Sequence, residues 1–317
     1  MFEHIIEAIQ EYSRIIIHRH SRPDGDALGS QIGLAELIRA TYPDKTVYTV
    51  GDSAGRYAFM DGAEMDEIPD KAYEGALAVI LDSAEESLVS DSRYTLASKT
   101  VRIDHHIWCA TFTDLEVVDT SFESCAGMIA YLAKEQDLVV SEKAANAMYT
   151  GMVTDSGRFR FDSTSPRTFE LAAFLLSHGA KTQEIYRNLY AEDLSRLQLR
   201  AKFIDRIQRY EDSPVAYIYT SKEDLEALGN PDVFFISRGM ANVMADIKGI
   251  DIWVNFTEDE SEVLCELRSS CYNVQPVAVK YGGGGHKKAC GAGVKDYSEA
   301  MAMLKDLKAI AECGEKE

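Results

Sequence analysis

The chain has 317 residues, of which 46% are apolar, and its formal net charge is -19 at pH 7. Since one domain usually spans about 100 to 200 residues, this length predicts two domains, each with enough apolar residues for a core. The excess of acid argues against a protein that coats long nucleic acid, because such affinity depends on Lys and Arg that neutralise phosphates. A small phosphorylated substrate stays compatible with it, since bound divalent metals reverse the local potential.

Cysteine usage and hydropathy predict where the protein works. The six cysteines form no Cys-x-x-Cys pair and no zinc-ribbon spacing, which is typical of reduced thiols in a cytosolic protein. The segment Met1–Ile9 lacks the basic flank and long apolar run of a signal peptide, and no segment approaches the roughly 20 apolar residues that cross a bilayer. We therefore expect a soluble, cytoplasmic protein that does not engage a membrane.

The first half of the chain alternates between helices and strands. Apolar spacing predicts helices at residues 2–12 and 27–41 and strands at 14–20, 46–50, 76–81 and 100–103. Strands separated by helical segments favour parallel pairing with right-handed crossovers, which brings the carboxyl ends of the strands to one edge. The predicted fold class is therefore α/β, with a mainly parallel sheet flanked by helices.

The segment His20-Ser-Arg-Pro-Asp24-Gly-Asp26-Ala-Leu-Gly-Ser30 follows the first predicted strand. Pro23 and Gly25 favour a tight turn, and helical spacing begins at Ala27. Ligands of α/β folds bind at such strand-to-helix turns. An Asp-Gly-Asp turn also occurs as a plain surface loop, so this segment alone only suggests a metal site.

Three further elements end in side chains of metal-ligand type. Asp82 follows the third strand, Asp104-His105-His106 follows the fourth, and Asp155 follows a helix predicted at 142–154. Each alone has a structural explanation, such as a helix cap or a turn, but their joint occurrence at four elements favours one shared site. The candidate ligands are His20, Asp24, Asp26, Asp82, His105, His106 and Asp155, with Asp104 beside them.

This set of ligands predicts two divalent cations. Carboxylate and imidazole groups without thiolate suit Mn²⁺ or Mg²⁺ better than structural zinc. Two such ions, about 3.5 to 4 Å apart, activate water and stabilise both the attacking and the leaving oxygens at phosphorus. The chemistry indicated is phosphoester hydrolysis.

A polar segment from Ser156 to Arg167 interrupts the helices that follow Asp155. It carries Arg158, Arg160 and Arg167 in a chain that is otherwise short of positive charge. The segment is a candidate phosphate-facing loop, and an equally weighted alternative is an ordinary solvated loop.

The second half predicts a linker and a smaller α/β domain. Helices are predicted at 125–135, 168–177, 183–190 and 194–210, before a break at Asp212-Ser213-Pro214. A new alternation follows, with strands at 215–219, 251–257 and 262–268 and helical stretches at 237–246 and 298–311. The predicted domains are a catalytic domain at 1–185, a helical linker at 186–213 and a substrate-binding domain at 214–317, with the active site in the cleft between the two domains.

The second domain carries its own binding motif, Gly282-Gly-Gly-Gly285-His286-Lys287-Lys288. A run of glycines exposes backbone N–H groups to a ligand, and the adjacent cations suit a phosphate or nucleotide. Arg268-Ser269-Ser270 adds a forked donor and hydroxyls for the same anion. A flexible loop is the alternative for the glycines alone.

Together these motifs resemble the DHH phosphoesterases, whose second lobe is the DHHA1 domain. The resemblance spans nearly the whole chain and is closest to the stand-alone oligoribonucleases and pAp phosphatases. The residues that carry it are His20-x-x-Pro23-Asp24-x-Asp26-Ala27-x-Gly29-Ser30, Asp82, Asp104-His105-His106, Thr154-Asp155-Ser156-Gly157-Arg158-Phe159 and the glycines that precede His286.

The resemblance implies a role for each matching residue. One metal would be held by His20, Asp24 and Asp82, and the other by Asp26, Asp82, His105 and Asp155, with manganese as the usual ion. His106 would lie near the bound phosphate, and Asp104 would orient the histidines. The implied substrate contacts are Arg268, Ser269, Ser270, Gly283, Gly284, Gly285, His286 and Arg158.

The expected protein is a Mn²⁺-dependent hydrolase of very short RNA and 3′-phosphoadenosine 5′-phosphate (pAp), with Mg²⁺ or another divalent metal as an alternative cofactor. Two other functions stay open: a phosphodiesterase for cyclic di-AMP or linear pApA, and a nucleotide-binding regulator without catalysis. The expected partners are short RNA or mono- and dinucleotides, not long double-stranded nucleic acid. Dimerisation, the direction of cleavage and the preferred substrate stay open.

Overall fold

The structure is a computed structural model that describes residues 2–313. The chain divides into two compact units at residue 191, and each unit has its own sheet. Within the described part of the chain, no helix is both long enough and apolar enough to span a membrane. The domain boundaries at residues 185 and 213 stay predictions.

The first unit is built on a five-stranded parallel sheet, which confirms the predicted fold class. Its strands are β1 (Arg14–His18), β2 (Thr46–Thr49), β3 (Leu77–Leu81), β4 (Lys99–Asp104) and β5 (Leu115–Val118), in the order β2-β1-β3-β4-β5. The central strand β3 is buried throughout, as its run of apolar residues requires in a sheet covered on both faces. Because β1, β3 and β4 are parallel, their carboxyl ends lie at one edge.

Between residues 2 and 191, this unit has six α-helices. They are α1 (Glu3–Glu11), α2 (Gly25–Thr41), α3 (Cys125–Glu135), α4 (Glu142–Asp155), α5 (Pro166–Ser177) and α6 (Thr182–Tyr190). Helices α2 and α4 cross closely at two glycines. A Cβ on Gly29 would lie 2.5 Å from the carbonyl oxygen of Ala147, and one on Gly151 would lie 2.9 Å from Oδ1 of Asp26. The small residues therefore let α4 approach the start of α2, where Asp26 lies.

The second unit has a mixed six-stranded sheet in the order β10-β11-β9-β8-β7-β6. Its strands are β6 (Gln208–Arg209), β7 (Val215–Thr220), β8 (Ile252–Glu258), β9 (Val263–Ser269), β10 (Gly284–His286) and β11 (Ala289–Val294). Strands β7 and β8 run parallel, and the other neighbours are antiparallel. Its helices are α7 (Leu194–Ile204), α8 (Lys222–Ala227), α9 (Gln275–Lys280) and α10 (Tyr297–Cys313).

Several predicted element boundaries are wrong. The first strand ends at His18, not at residue 20, and α2 begins at Gly25, because the Asp24 carboxylate accepts hydrogen bonds from the first N–H groups of the helix. Helix α7 ends at Ile204 because residues 208–209 pair with β7. The helix predicted at 237–246 is instead a π-helical turn, Phe235–Gly239, followed by a 3₁₀ turn, Asn242–Met244.

The crossing of α2 and α4 generates a stability prediction. We expect Gly29→Ala to lower the free energy of unfolding by about 1 to 3 kcal/mol, the usual cost of overpacking, because the new methyl group meets backbone atoms that cannot move away. Gly33→Ala is the matched control, since its methyl group meets the flexible side chain of Met148. Urea denaturation of both variants measures the difference, and equal losses would contradict this account of the crossing.

Candidate active site

The carboxyl edge of the first sheet brings the predicted metal ligands together. Three groups have ligand atoms within 4.8 Å of one another: His20, Asp24 and Asp82; Asp26, His105 and Asp155; and Asp82, His105 and His106. Asp82 and His105 each belong to two groups, so the seven side chains form one continuous cluster. Their individual roles stay predictions.

His20 and Asp24 lie on the loop between β1 and α2. Nδ1 of His20 lies 2.9 Å from the carbonyl oxygen of Ser21, so Nε2 faces the carboxylates, at 3.8 Å from Asp24 and 3.5 Å from Asp82. Burial opposes charge on His20, but hydrogen bonds with Asp24 and Asp82 raise its pKa to about 10. Without metal, this imidazole is therefore a cation.

Asp26 lies in the first turn of α2 and is held by the start of α3. Its carboxylate accepts hydrogen bonds from the backbone N–H groups of Cys125, at 2.7 Å, and Ala126, at 2.8 Å. The positive end of a helix dipole favours a carboxylate at this position. No sequence pattern indicated this contact, which joins residues about 100 positions apart.

Asp82 lies at the centre of the cluster and is almost completely buried. It follows β3 with a φ of 51°, a left-handed conformation that is uncommon for residues other than glycine and is often found at functional sites. Its Oδ1 lies 3.6 Å from Nε2 of His105 and 3.5 Å from Nδ1 of His106. One carboxylate therefore faces three histidines, because its Oδ2 also faces His20.

The Asp104-His105-His106 motif extends from the end of β4. Nε2 of His105 points at Asp26 and Asp155, at 3.7 and 3.4 Å. Nδ1 of His106 lies 2.9 Å from the carboxylate of Asp104, and this hydrogen bond raises the pKa of His106 to about 9. His106 is therefore a protonated, half-exposed group beside the cluster.

Buried negative charge dominates the electrostatics of the site. Burial, together with the carboxylates of Asp82, Asp155 and Asp24, raises the pKa of Asp26 well above its usual value. Burial also raises the pKa of Asp155 to about 6, and the neighbouring Asp82 and Asp24 add to this shift. These carboxylates repel one another unless positive charge lies between them.

The unused atoms of the cluster fit a cation. Oδ1 of Asp82 and Nε2 of His105 are buried and have no hydrogen-bond partner. Both are lone-pair donors at a position crowded with carboxylates, and their oxygen and nitrogen chemistry suits Mn²⁺ or Mg²⁺. The residues present therefore fit divalent metal ions.

A cavity of about 280 Å³ opens onto these side chains. It is lined by His20, Asp24, Asp82, His106 and Asp155, and also by Ala84 and Leu88. No motif indicated the two apolar residues, because they lie on an irregular segment with no periodic pattern. The cavity is thus lined by the charged side chains of the cluster on one part of its surface and by Ala84 and Leu88 on another.

The basic segment after α4 is ordered by stacking on aromatic rings. The guanidinium of Arg158 lies 3.6 Å from the ring centre of Tyr190, and that of Arg167 lies 3.5 Å from the ring centre of Phe122. Arg167 also donates hydrogen bonds to Ser121. These contacts position both side chains without a phosphate, and the predicted substrate contact of Arg158 stays a prediction.

In the second unit, Arg268 and His286 lie on one row of the sheet. Ala289 of β11 pairs with His286 on one side and with Arg268 of β9 on the other, so all three side chains point to the same face. Neighbouring strands lie about 4.8 Å apart, so the backbones of Arg268 and His286, two strands apart, are roughly 10 Å from each other. Arg268 also donates to Glu266 at 3.0 Å, which neutralises part of its charge.

The predicted glycines and serines have structural contacts of their own. A Cβ on Gly283 would lie 2.1 Å from the carbonyl oxygen of Gly291, so this glycine is required where β10 meets β11, whereas Gly284 faces open space. Gly285 has a φ of 136°. The Ser269 hydroxyl donates to Asp251 and accepts from Tyr272, and that of Ser270 also donates to Asp251. Their substrate contacts stay predictions.

Comparisons with known proteins agree with the motifs. Residues 14–152 match the DHH family, N-terminal domain, and residues 235–312 match the DHHA1 domain. The chain is 34% identical to the bifunctional oligoribonuclease and PAP phosphatase NrnA of Bacillus subtilis over 99% of each chain. It is 32% identical to the probable bifunctional oligoribonuclease and PAP phosphatase NrnA of Streptococcus mutans, over 97% of this chain and 98% of that relative.

A solved structure shares the whole fold. An exopolyphosphatase-related protein from Bacteroides fragilis superposes with a TM-score of 0.81 at 25% identity, covering 98% of this chain and 96% of the other. The chain belongs to the DHH family and carries a DHHA1 domain, which confirms the resemblance found in the sequence. It is therefore a hydrolase that acts on phosphoester bonds.

The charge of the cluster generates a prediction for the metal-free chain. The pKa values of His20 and His106 are raised to about 10 and 9, so the stability they contribute is complete below the unfolded value near 6.5. That stability is lost as the pH rises through 9 to 10. The pKa of Asp155 is raised to about 6, so the folded state also loses stability as the pH rises from 4 to 6 and this carboxyl group gives up its proton. A metal cation bound in the cluster would supply the positive charge that is lost when these groups release their protons.

We therefore expect Mn²⁺ to raise the Tm of the EDTA-treated chain more at pH 8 than at pH 5.5. Differential scanning fluorimetry at the two pH values, with and without excess Mn²⁺, measures this difference. A Tm increase that is independent of pH would show that Mn²⁺ binds away from the cluster.

Proposed function

We propose that this chain is a divalent-metal-dependent phosphoesterase that hydrolyses very short RNA and pAp. The observation that carries the proposal is the convergence of six other carboxylate and imidazole side chains around the buried Asp82. The names of the two NrnA relatives, both described as oligoribonuclease and PAP phosphatase, support the substrate class.

Two overlapping sets of residues are suited to hold the metals. His20, Asp24 and Asp82 would hold one ion, and Asp26, Asp82, His105 and Asp155 would hold the other, with Asp82 shared. The proximity of the ligand atoms within each of the first two groups supports this division. Bound divalent cations, most simply Mn²⁺, supply acidity to water and neutralise charge that develops on the phosphoryl oxygens.

His106 is assigned to the phosphate and not to the metals. Its Nδ1 proton is held against Asp104, and the raised pKa keeps the ring charged at neutral pH. A charged ring at the edge of the cavity donates a hydrogen bond to a phosphoryl oxygen, and such a donor is most valuable in the transition state. Asp104 fixes the orientation and the tautomer of this ring.

The second unit supplies the proposed selectivity for short ends. The face that carries Arg268 and His286 offers a guanidinium and an imidazole as hydrogen-bond donors in a chain whose net charge is -19. A protein without an extended basic surface gains little from a long polyanion, so this face favours a terminal phosphate or nucleotide. We infer that this face binds the terminal phosphate or nucleotide of the substrate, and that the ligand cluster of the first unit would hold the metals that activate water for hydrolysis.

Assays of hydrolysis also test the two remaining functions, a regulator without catalysis and a phosphodiesterase for cyclic di-AMP or linear pApA. A regulator without catalysis is disfavoured, because the cluster contains a complete set of ligand-type side chains for two cations. Hydrolysis of cyclic di-AMP or pApA with higher kcat/KM than pAp and short RNA would replace the proposed substrate.

The role of His106 gives a kinetic prediction. His106→Ala should lower kcat by about 10²- to 10³-fold, the range for one lost transition-state donor, while the chain still binds its full complement of Mn²⁺. Elemental analysis of the dialysed variant measures the metal. His178→Ala, which changes a histidine that contacts Phe174 in α5, is the control and should keep kcat. A loss of metal in parallel with kcat would make His106 a ligand instead.

Substrate length tests the proposal as a whole. We expect kcat/KM to be highest for RNA of two to five nucleotides and to fall steeply for longer RNA, with pAp also hydrolysed. His286→Ala should lower kcat/KM on these substrates but affect an activated generic phosphodiester much less, since that ester needs only the metal cluster.

Rates on 5′-labelled RNA of two to about twenty nucleotides, together with pAp, pApA and cyclic di-AMP, provide the measurement. Lys280→Ala is the control, because its amine pairs with Asp306 in the same unit and is not part of the proposed face. Equal efficiency at all lengths, or equal losses of His286→Ala on the generic ester, would contradict selection by the second unit.

A further inference from the structure

A polar network centred on the buried Arg19 adjoins His20. Arg19 is 0% exposed, and each nitrogen of its guanidinium is hydrogen-bonded. Nε donates to Gln31 at 3.0 Å, and Nη1 donates to the Asp52 carboxylate at 2.7 Å and to the His20 carbonyl at 3.1 Å. Nη2 donates to the Asp52 carbonyl at 2.5 Å. Arg19 therefore ties the backbone of His20 to Asp52.

Asp52 extends this network to the loop that carries Asp24. Its second carboxylate oxygen accepts the backbone N–H of Arg22 at 2.7 Å. Arg22 has a left-handed φ of 52°, so this hydrogen bond stabilises a conformation that the chain would otherwise disfavour. Arg22 lies between His20 and Asp24, so the angle at which the loop presents both side chains depends on it.

Ser90 closes the network from the other side. Its hydroxyl accepts from the backbone N–H of Asp52 and donates to the carboxylate, both at 2.8 Å, and its own N–H donates to the Arg19 carbonyl at 2.9 Å. His20 pairs with Val89 in an isolated β-bridge. The backbone is thus fixed on both sides of His20.

The surrounding residues are shaped for this arginine. The Gln31 side chain is locked by hydrogen bonds to the carbonyls of Ile17 and Val50, at 2.7 and 2.9 Å, which aims its oxygen at Arg19. A Cβ on Gly51, which has a φ of 143°, would lie 3.2 Å from the guanidinium carbon. A buried charge in which each guanidinium nitrogen is hydrogen-bonded favours one geometry, because each alternative leaves more donors unpaired.

We propose that Arg19 and Asp52 form a positioning pair that sets the geometry of His20 and Asp24 for one of the two cations. The inference rests on the proposed function, in which His20 and Asp24 hold a metal. Neither residue of the pair is among those that line the cavity at the cluster. The pair acts through the loop, so its loss should weaken the site of His20 and Asp24 and leave the site of Asp26, His105 and Asp155 unchanged.

Isothermal titration calorimetry tests the inference. Mn²⁺ is added to the full chain after EDTA has stripped it of metal and has itself been removed. The unmodified chain should bind two ions. Asp52→Ala should weaken one of the two sites by about 10- to 100-fold, the usual effect of removing a group behind a metal ligand. Excess Mn²⁺ should restore most of the lost kcat/KM on a dinucleotide, which a general loss of folding would not allow.

Two further variants keep the test decisive. Ser90→Ala removes two hydrogen bonds to Asp52, one with its backbone N–H and one with its carboxylate, and leaves no charge unpaired, so it should weaken the same site by about 2- to 10-fold even if Asp52→Ala folds poorly. Asp224→Ala is the matched control, because Asp224 pairs with Arg206 in the second unit, and it should leave both sites unchanged.

The outcomes separate the two proposals. An unmodified chain that binds no Mn²⁺ would overturn the proposed function together with this inference. Two sites in the unmodified chain, with either no change or equal weakening of both sites in a folded Ser90→Ala or Asp52→Ala variant, would overturn the positioning role alone.

Discussion

Mutual repulsion among buried carboxylates is the constraint on which the first unit depends. Asp26, Asp82 and Asp155 converge at one edge of the sheet, where the burial of Asp26 and Asp82 limits the screening of their charges by water. Without metal, protons on His20 and His106 offset part of this charge. A cluster that needs positive charge to be stable therefore also binds cations. The repulsion that lowers the stability of the metal-free chain is the same property that lets the cluster bind metal.

The rest of the fold supplies the contacts that hold the carboxylates in place. The start of α3 donates two N–H groups to Asp26, and Gly151 of α4 leaves room for the same carboxylate. Asp82 is held in a left-handed conformation at the end of β3. Parallel strands bring these contacts to one edge. Each crossover returns the chain to the edge where strands begin, so every strand ends at the opposite edge. Different elements thus support Asp26 and Asp82.

Much of this arrangement could be predicted from the sequence, because the ligands directly follow strong periodic patterns. The apolar runs before His20, Asp82 and Asp104 indicated parallel strands, and their ends fixed where the acids meet. The contact of Asp26 with α3 could not be predicted, since it joins distant residues that share no local pattern. The hairpin of β10 and β11 was also missed, because its glycines satisfy a close backbone approach that resembles a flexible loop in sequence. The pairing of the buried Arg19 with the exposed Asp52 likewise has no local signal, because an arginine is usually exposed.

The central claim is that one buried carboxylate is shared between two metal ions. Crystals of the chain grown with Mn²⁺, and measured at the manganese absorption edge, test it directly by anomalous scattering. We predict two anomalous peaks about 3.5 to 4 Å apart, with one oxygen of Asp82 facing each or one oxygen between them. A single peak, or two peaks of which one has no contact with Asp82, would contradict the claim.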